Sequence, residues 1–129
     1  MIDLASEYKR GYVSLVLFLS HLEAGVQGKK SDYPVQEFVD SLEIKAQSKV
    51  KDSIKLLQEF GICLGLPHVK KLTGTELWEL RIVGSNNLRV LYIAMTGKTF
   101  VLLHGFKKKK DKIPPKEIKT ALNRLAGLR

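Results

Sequence analysis

The sequence predicts an α+β domain in which an N-terminal helical region packs on a twisted, mainly antiparallel sheet and a short C-terminal helix closes the chain. Three observations carry this. Between Val35 and Leu57 the apolar residues recur at helical spacing. From Leu77 the period drops to two through three consecutive apolar runs, LWELRIV, LRVLYIA and FVLLHGF. The chain then ends in a lysine block, KKKKDK, a Pro114-Pro115 break and an amphipathic stretch to Leu125. With 129 residues, 44% of them apolar, it is long enough for one modest core and too short for two.

In chain order, residues 1–30 are read as an N-terminal extension or first strand, and residues 31–129 as the main domain. The run YVSLVLFL at 12–19 fits a buried first strand or the apolar core of a helix, and periodicity leaves both open. Gly25, Gly28 and Lys29-Lys30 mark a loop, and Ser31, Asp32 and Pro34 start a helix. Val35, Phe38, Val39 and Leu42 form one stripe and Ala46, Val50, Ile54 and Leu57 a second, with Ser41–Glu43 dividing them. Gly61 serves as the C-terminal cap, and Pro67 forbids continuation. In LWELRIV, Trp78, Leu80 and Ile82 share one strand face and Glu79 and Arg81 the other. Gly84-Ser85-Asn86-Asn87 and Thr96-Gly97-Lys98 supply the turns of a meander. After Pro115, the residues Ile118, Ala121, Leu122 and Leu125 define the last helix stripe.

Charge is divided sharply. Residues 1–63 hold 8 Lys/Arg against 9 Asp/Glu, whereas residues 64–129 hold 14 against 4. A positive face of this kind suits nucleic acid first and an acidic protein second. Cys63 is the single cysteine, so an internal disulfide and a thiolate metal cluster are excluded and a cytoplasmic location is expected. The run at 12–19 falls far short of the roughly 20 residues of a membrane-spanning helix. Asp3 and Glu7 also spoil the positively charged start of a secretory signal, so no membrane association is expected. No phosphate-binding loop, dinucleotide-binding glycine pattern or serine-hydrolase elbow is present, and neither a metal nor another cofactor is expected.

The candidate catalytic residues are Arg81, Arg89 and His104. A guanidinium takes two phosphate oxygens at once and stays charged. Whether Arg81 and Arg89 share a face depends on hairpin register, since a slip of one residue sets them on opposite faces. The competing reading makes Arg81 the partner of Glu79 or another surface acid. An imidazole exchanges protons near neutrality, as RNA transesterification requires, although a lone histidine on an apolar strand is more often a satisfied core residue. Candidate RNA-binding residues are Tyr92, by stacking on a base, and Lys107, Lys108, Lys109, Lys110 and Lys112, by neutralising phosphates. The alternatives are a core aromatic for Tyr92 and a solvated face for the lysines.

Between residues 31 and 125, the ordered segments PVQEFVDSL, LLQEFG, VKKLTGTELWELRI, RVLYI, LLHGFKKKKDKIP and EIKTAL resemble the phage-derived, HigB-like branch of the RelE/ParE toxin superfamily. The resemblance implies a compact RelE-like toxin fold whose sheet carries RNA-cleaving residues, cutting mRNA on the ribosome without metal. It also implies a helix-turn-helix antitoxin, expected to present an acidic contact surface. By matched position it points to Arg81, Arg89, His104, Phe106, Lys108, Lys109, Lys112 and Pro114. Two features depart from the pattern: the first 30 residues do not match a short opening strand, and no tyrosine follows Tyr92. The expected function is therefore a ribosome-dependent mRNA endoribonuclease, the alternatives being a ParE-like DNA gyrase inhibitor and a non-catalytic RNA-binding module.

Overall fold

A computed structural model describes residues 15–18, 34–85, 87–95, 99–109 and 111–128. The candidate Lys110, and His21 with most of the N-terminal stretch, lie outside the described residues. The architecture is α+β, as the change of period predicts. Strand β1 (Leu15–Phe18) comes first, followed by helices α1 (Pro34–Asp40) and α2 (Ile44–Phe60) and a single 3₁₀ turn at Gly61–Cys63. Strands β2 (Val69–Lys71), β3 (Trp78–Arg81), β4 (Leu88–Ala94) and β5 (Thr99–Lys107) then form an antiparallel meander, and helix α3 (Pro115–Leu128) completes the domain. The sheet order is β1-β5-β4-β3-β2, with β1 parallel to β5. The part of the 12–19 run that is described is thus a strand.

The two helices separate at Ser41–Glu43, where Ser41 Oγ donates to the Phe38 carbonyl and draws the chain out of the helical path. Gly61 ends α2 at φ 54°, and its N–H donates to the Leu57 carbonyl. Each sheet face buries its own core. On one, Val35, Val39, Val50, Ile54 and Leu57 of α1 and α2 meet Leu80, Val90, Tyr92, Phe100 and Leu102. On the other, Ala121 and Leu125 of α3 meet Leu91, Ile93, Val101, Leu103 and Phe106. Leu122 departs from the expected stripe and stays 37% exposed. Because α3 is a single helix and covers only part of its face, the β2–β3 end of that face is left open.

A β-bulge decides what occupies that face. Leu91 pairs with His104 but Tyr92 pairs with Leu102, so Leu103 is an extra residue in β5. Strict alternation would put His104 on the same face as Phe100 and Leu102. The bulge turns it, with Phe106, toward α3, and leaves Gly105 facing α1. There a Cβ would overlap the Phe38 ring, so the close approach of α1 to β5 needs glycine.

Candidate functional site: an arginine pair beside a basic groove

Strands β3 and β4 pair with Arg81 directly opposite Arg89 and Glu79 opposite Leu91. The register therefore sets both guanidiniums on one face. Across β3, β4 and β5 that face carries Arg81, Arg89 and Phe106 in one row and Glu79, Leu91 and His104 in the next. Lys70 of β2 extends the second row beside Glu79. An open groove of about 320 Å³ runs over this end of the sheet, its walls including Lys70, Glu79, Arg81, Lys108, Asp111 and Lys112. Lys108 is held in place because its backbone N–H donates to the Asn87 carbonyl at 2.6 Å, extending the β4–β5 ladder past Lys107.

Glu79 is the charged centre of this floor, with only 2% of its surface exposed. Its Oε2 accepts from Arg89 Nε at 2.8 Å and its Oε1 lies 3.7 Å from Arg81 Nε. Arg89 also donates from Nη1 to the Leu88 carbonyl at 2.9 Å, so its guanidinium plane is fixed at two nitrogens. The structural reading of Arg81 as a neighbour of Glu79 thus holds at the same time as its exposure to the groove. With one carboxylate between two guanidiniums, the trio carries a net positive charge on a surface lined by further lysines. Such a floor can hold an anion with several acceptor oxygens, phosphate above all.

His104 sits elsewhere. It lies two strands from Glu79, about 10 Å at the usual strand spacing, and beneath α3. Its Nε2 is 2.7 Å from Glu117 Oε1, and its Nδ1 is 3.1 Å from Arg124 Nη1, which also donates to the carbonyl of the bulged Leu103 at 2.9 Å. A guanidinium only donates, so Nδ1 is the acceptor and the imidazole proton sits on Nε2 toward Glu117. Desolvation under α3 holds the imidazole below its ordinary pKa, the Arg124 charge adds to this, and Glu117 opposes it through its hydrogen bond and charge. The ring stacks on Phe106 at 5.6 Å. With both ring nitrogens engaged by α3 side chains, His104 ties that helix to the sheet.

Tyr92 takes the core-aromatic alternative. It is 3% exposed on the opposite face, between Trp78 and Phe100 at ring-centroid distances of 6.5 and 5.9 Å, and burial pushes its phenol far above the ordinary value. No face of the ring is open to a base. The described lysines of the block are shared between two adjoining hollows: Lys108 and Lys112 line the groove, and Lys107, Lys109 and Lys112 border a neighbouring hollow with Pro114, Pro115 and Glu117. Sequence reasoning missed Lys70, Glu117 and Arg124 as members of these clusters. Lys70 needed the β2–β3 register, while Glu117 and Arg124 had a readable signal: seven positions apart, they share one helix face. Among the described residues, no group of three or more His, Cys, Asp or Glu side chains is placed to hold a metal.

The family model described as phage-derived protein Gp49-like (DUF891) matches residues 37–126, a span that holds every residue of the groove and of the His104 cluster. The chain belongs to this Gp49-like family, a toxin-like family related to RelE and HigB. No curated protein matches it. Among the described residues, no helix is long and apolar enough to cross a membrane.

Proposed function

We propose that this chain is the toxin of a type II toxin-antitoxin pair and that it cuts mRNA on the ribosome without metal. The observation that carries the reading is the Arg81–Arg89 cross-strand pair, joined through Glu79, with Arg81 and Glu79 lining a lysine-rich groove and Arg89 directly beside them. The 2′-hydroxyl of the substrate gives its proton to water and attacks the adjacent phosphorus, forming the O2′–P bond and breaking the P–O5′ bond, and the departing O5′ takes a proton from water. The products are a 2′,3′-cyclic phosphate and a 5′-hydroxyl. Arg81 and Arg89 stabilise the charge that grows on the phosphorane, an effect commonly worth about 3 to 4 kcal/mol per well-placed donor. Lys70, Lys108 and Lys112 hold the flanking backbone, and His104 supports the site by holding α3.

A second reading, a non-catalytic RNA-binding module, is favoured by one observation: both ring nitrogens of His104 are occupied. Induced expression followed by mapping of 5′ ends separates the two. New 5′ ends inside translated messages support the nuclease. Intact messages recovered on the protein support the binding module, and intact messages with inhibited gyrase supercoiling would replace both with the gyrase-inhibitor reading. The antitoxin of this proposal is a helix-turn-helix protein whose acidic segment covers the basic groove, so its association rate should fall steeply with salt.

A further inference from the structure

We propose that Glu79 is a positioning residue that presets Arg81 and Arg89 as a single phosphate clamp, an inference that rests on reading the groove as the RNA-cleaving site. The register places two guanidiniums directly opposite one another on adjacent strands, an arrangement that repels unless an anion lies nearby. Glu79 supplies that anion from within the sheet, meeting each arginine through a different carboxylate oxygen. Its position is not one that stability alone would fill with a carboxylate. Its cross-strand neighbour Leu91 is fully buried in the core under α3, and burying an ion pair where an apolar side chain fits is seldom the more stable choice. What the carboxylate adds is orientation: it holds Arg89 by Nε while the Leu88 carbonyl holds Nη1, so the guanidinium plane is set before phosphate arrives.

The test is single-turnover cleavage of ribosome-bound mRNA, with affinity for a short single-stranded RNA measured in parallel. Glu79→Gln should lower the cleavage rate about 100-fold, the usual scale for misplacing a catalytic group by about 1 Å. RNA affinity should hold or tighten, because the variant removes one negative charge from the groove. Loss of fold would weaken both, so the opposite movements identify positioning. Glu79→Gln placed on Arg89→Ala should cost much less than it does in the wild type, because most of its effect passes through the Arg89 guanidinium it holds at 2.8 Å. Should Glu79→Gln fail to fold, Glu79→Asp, which keeps the charge and withdraws it by one methylene, should show a smaller loss of rate at unchanged affinity. A folded variant that cleaves like the wild type while Arg89→Ala is inactive, or losses that multiply in the double variant, would overturn the proposal. If the wild-type protein binds RNA but never cuts it, the nuclease reading fails and the arginine Nε–H NMR signals decide the inference separately. Glu79→Gln, which leaves a neutral acceptor in place of a charged one, must then speed exchange of the Arg89 Nε–H, and an unchanged signal overturns it.

Discussion

Arg89 is a candidate phosphate ligand that is also half of a buried ion pair, so its removal affects folding and chemistry together. Arg89→Ala strands a carboxylate that is 2% exposed, leaving only the more distant Arg81, and should cost about 3 kcal/mol or more in urea unfolding. Adding Glu79→Gln removes the stranded charge and should restore most of that stability without restoring activity. Equal stabilities for the single and double variants would mean that stranding Glu79 is not the source of the loss. His104 yields a second prediction. Its folded-state pKa lies below the unfolded value, so as pH falls the unfolded chain takes up the proton first. The contribution is therefore fully present above about pH 6.5, the ordinary histidine value, and is lost as pH falls below it. Between pH 7.5 and 5 the wild type should lose stability faster than His104→Gln, and parallel curves would remove desolvation under α3 as the cause.

Strand β5 and helix α3 act as one element. The bulge at Leu103 frees a carbonyl, Arg124 satisfies it, and the same guanidinium nitrogen caps His104 Nδ1. The adjacent Gly105 lets α1 lie against the other side of the strand. Gly105→Ala should cost about 1 to 3 kcal/mol, the usual range for overpacking, because the new Cβ overlaps the Phe38 ring of α1 and one of them must shift. Thermal unfolding measures it, and an unchanged melting temperature would show that the Phe38 ring does not press on β5 at this point.

For the molecule as a whole, charge and exposure decide what the domain meets. The described helices of the near-neutral half pack on the sheet, and the basic half contributes most of that sheet and the loop before α3. If the groove tracks a phosphate backbone, replacing Lys70, Lys108 and Lys112 with Gln should flatten the salt dependence of RNA binding by roughly 0.7 to 0.9 for each phosphate no longer neutralised. Lys109 borders the neighbouring hollow instead, and Lys109→Gln should leave the slope closer to that of the wild type. A triple variant with an unchanged slope would show that these lysines form a solvated face.

The features legible in the sequence alone were local and periodic. The helix stripes, the Gly61 cap, the meander and the helix after Pro115 follow from spacing and backbone chemistry that each segment carries internally, and alternation alone put Glu79 beside Arg81. Every relation between segments was left open. The face shared by Arg81 and Arg89 depended on a register that turn residues narrow but do not set, and the tertiary packing of two different cores against one sheet decided it. His104 changed faces through a bulge that no residue type announces, since an extra residue in a strand is defined only against its partner. Tyr92 lost its place at the site for the same reason: the β3–β4 register sets it opposite Trp78, and the packing of α1 and α2 closed that face to solvent.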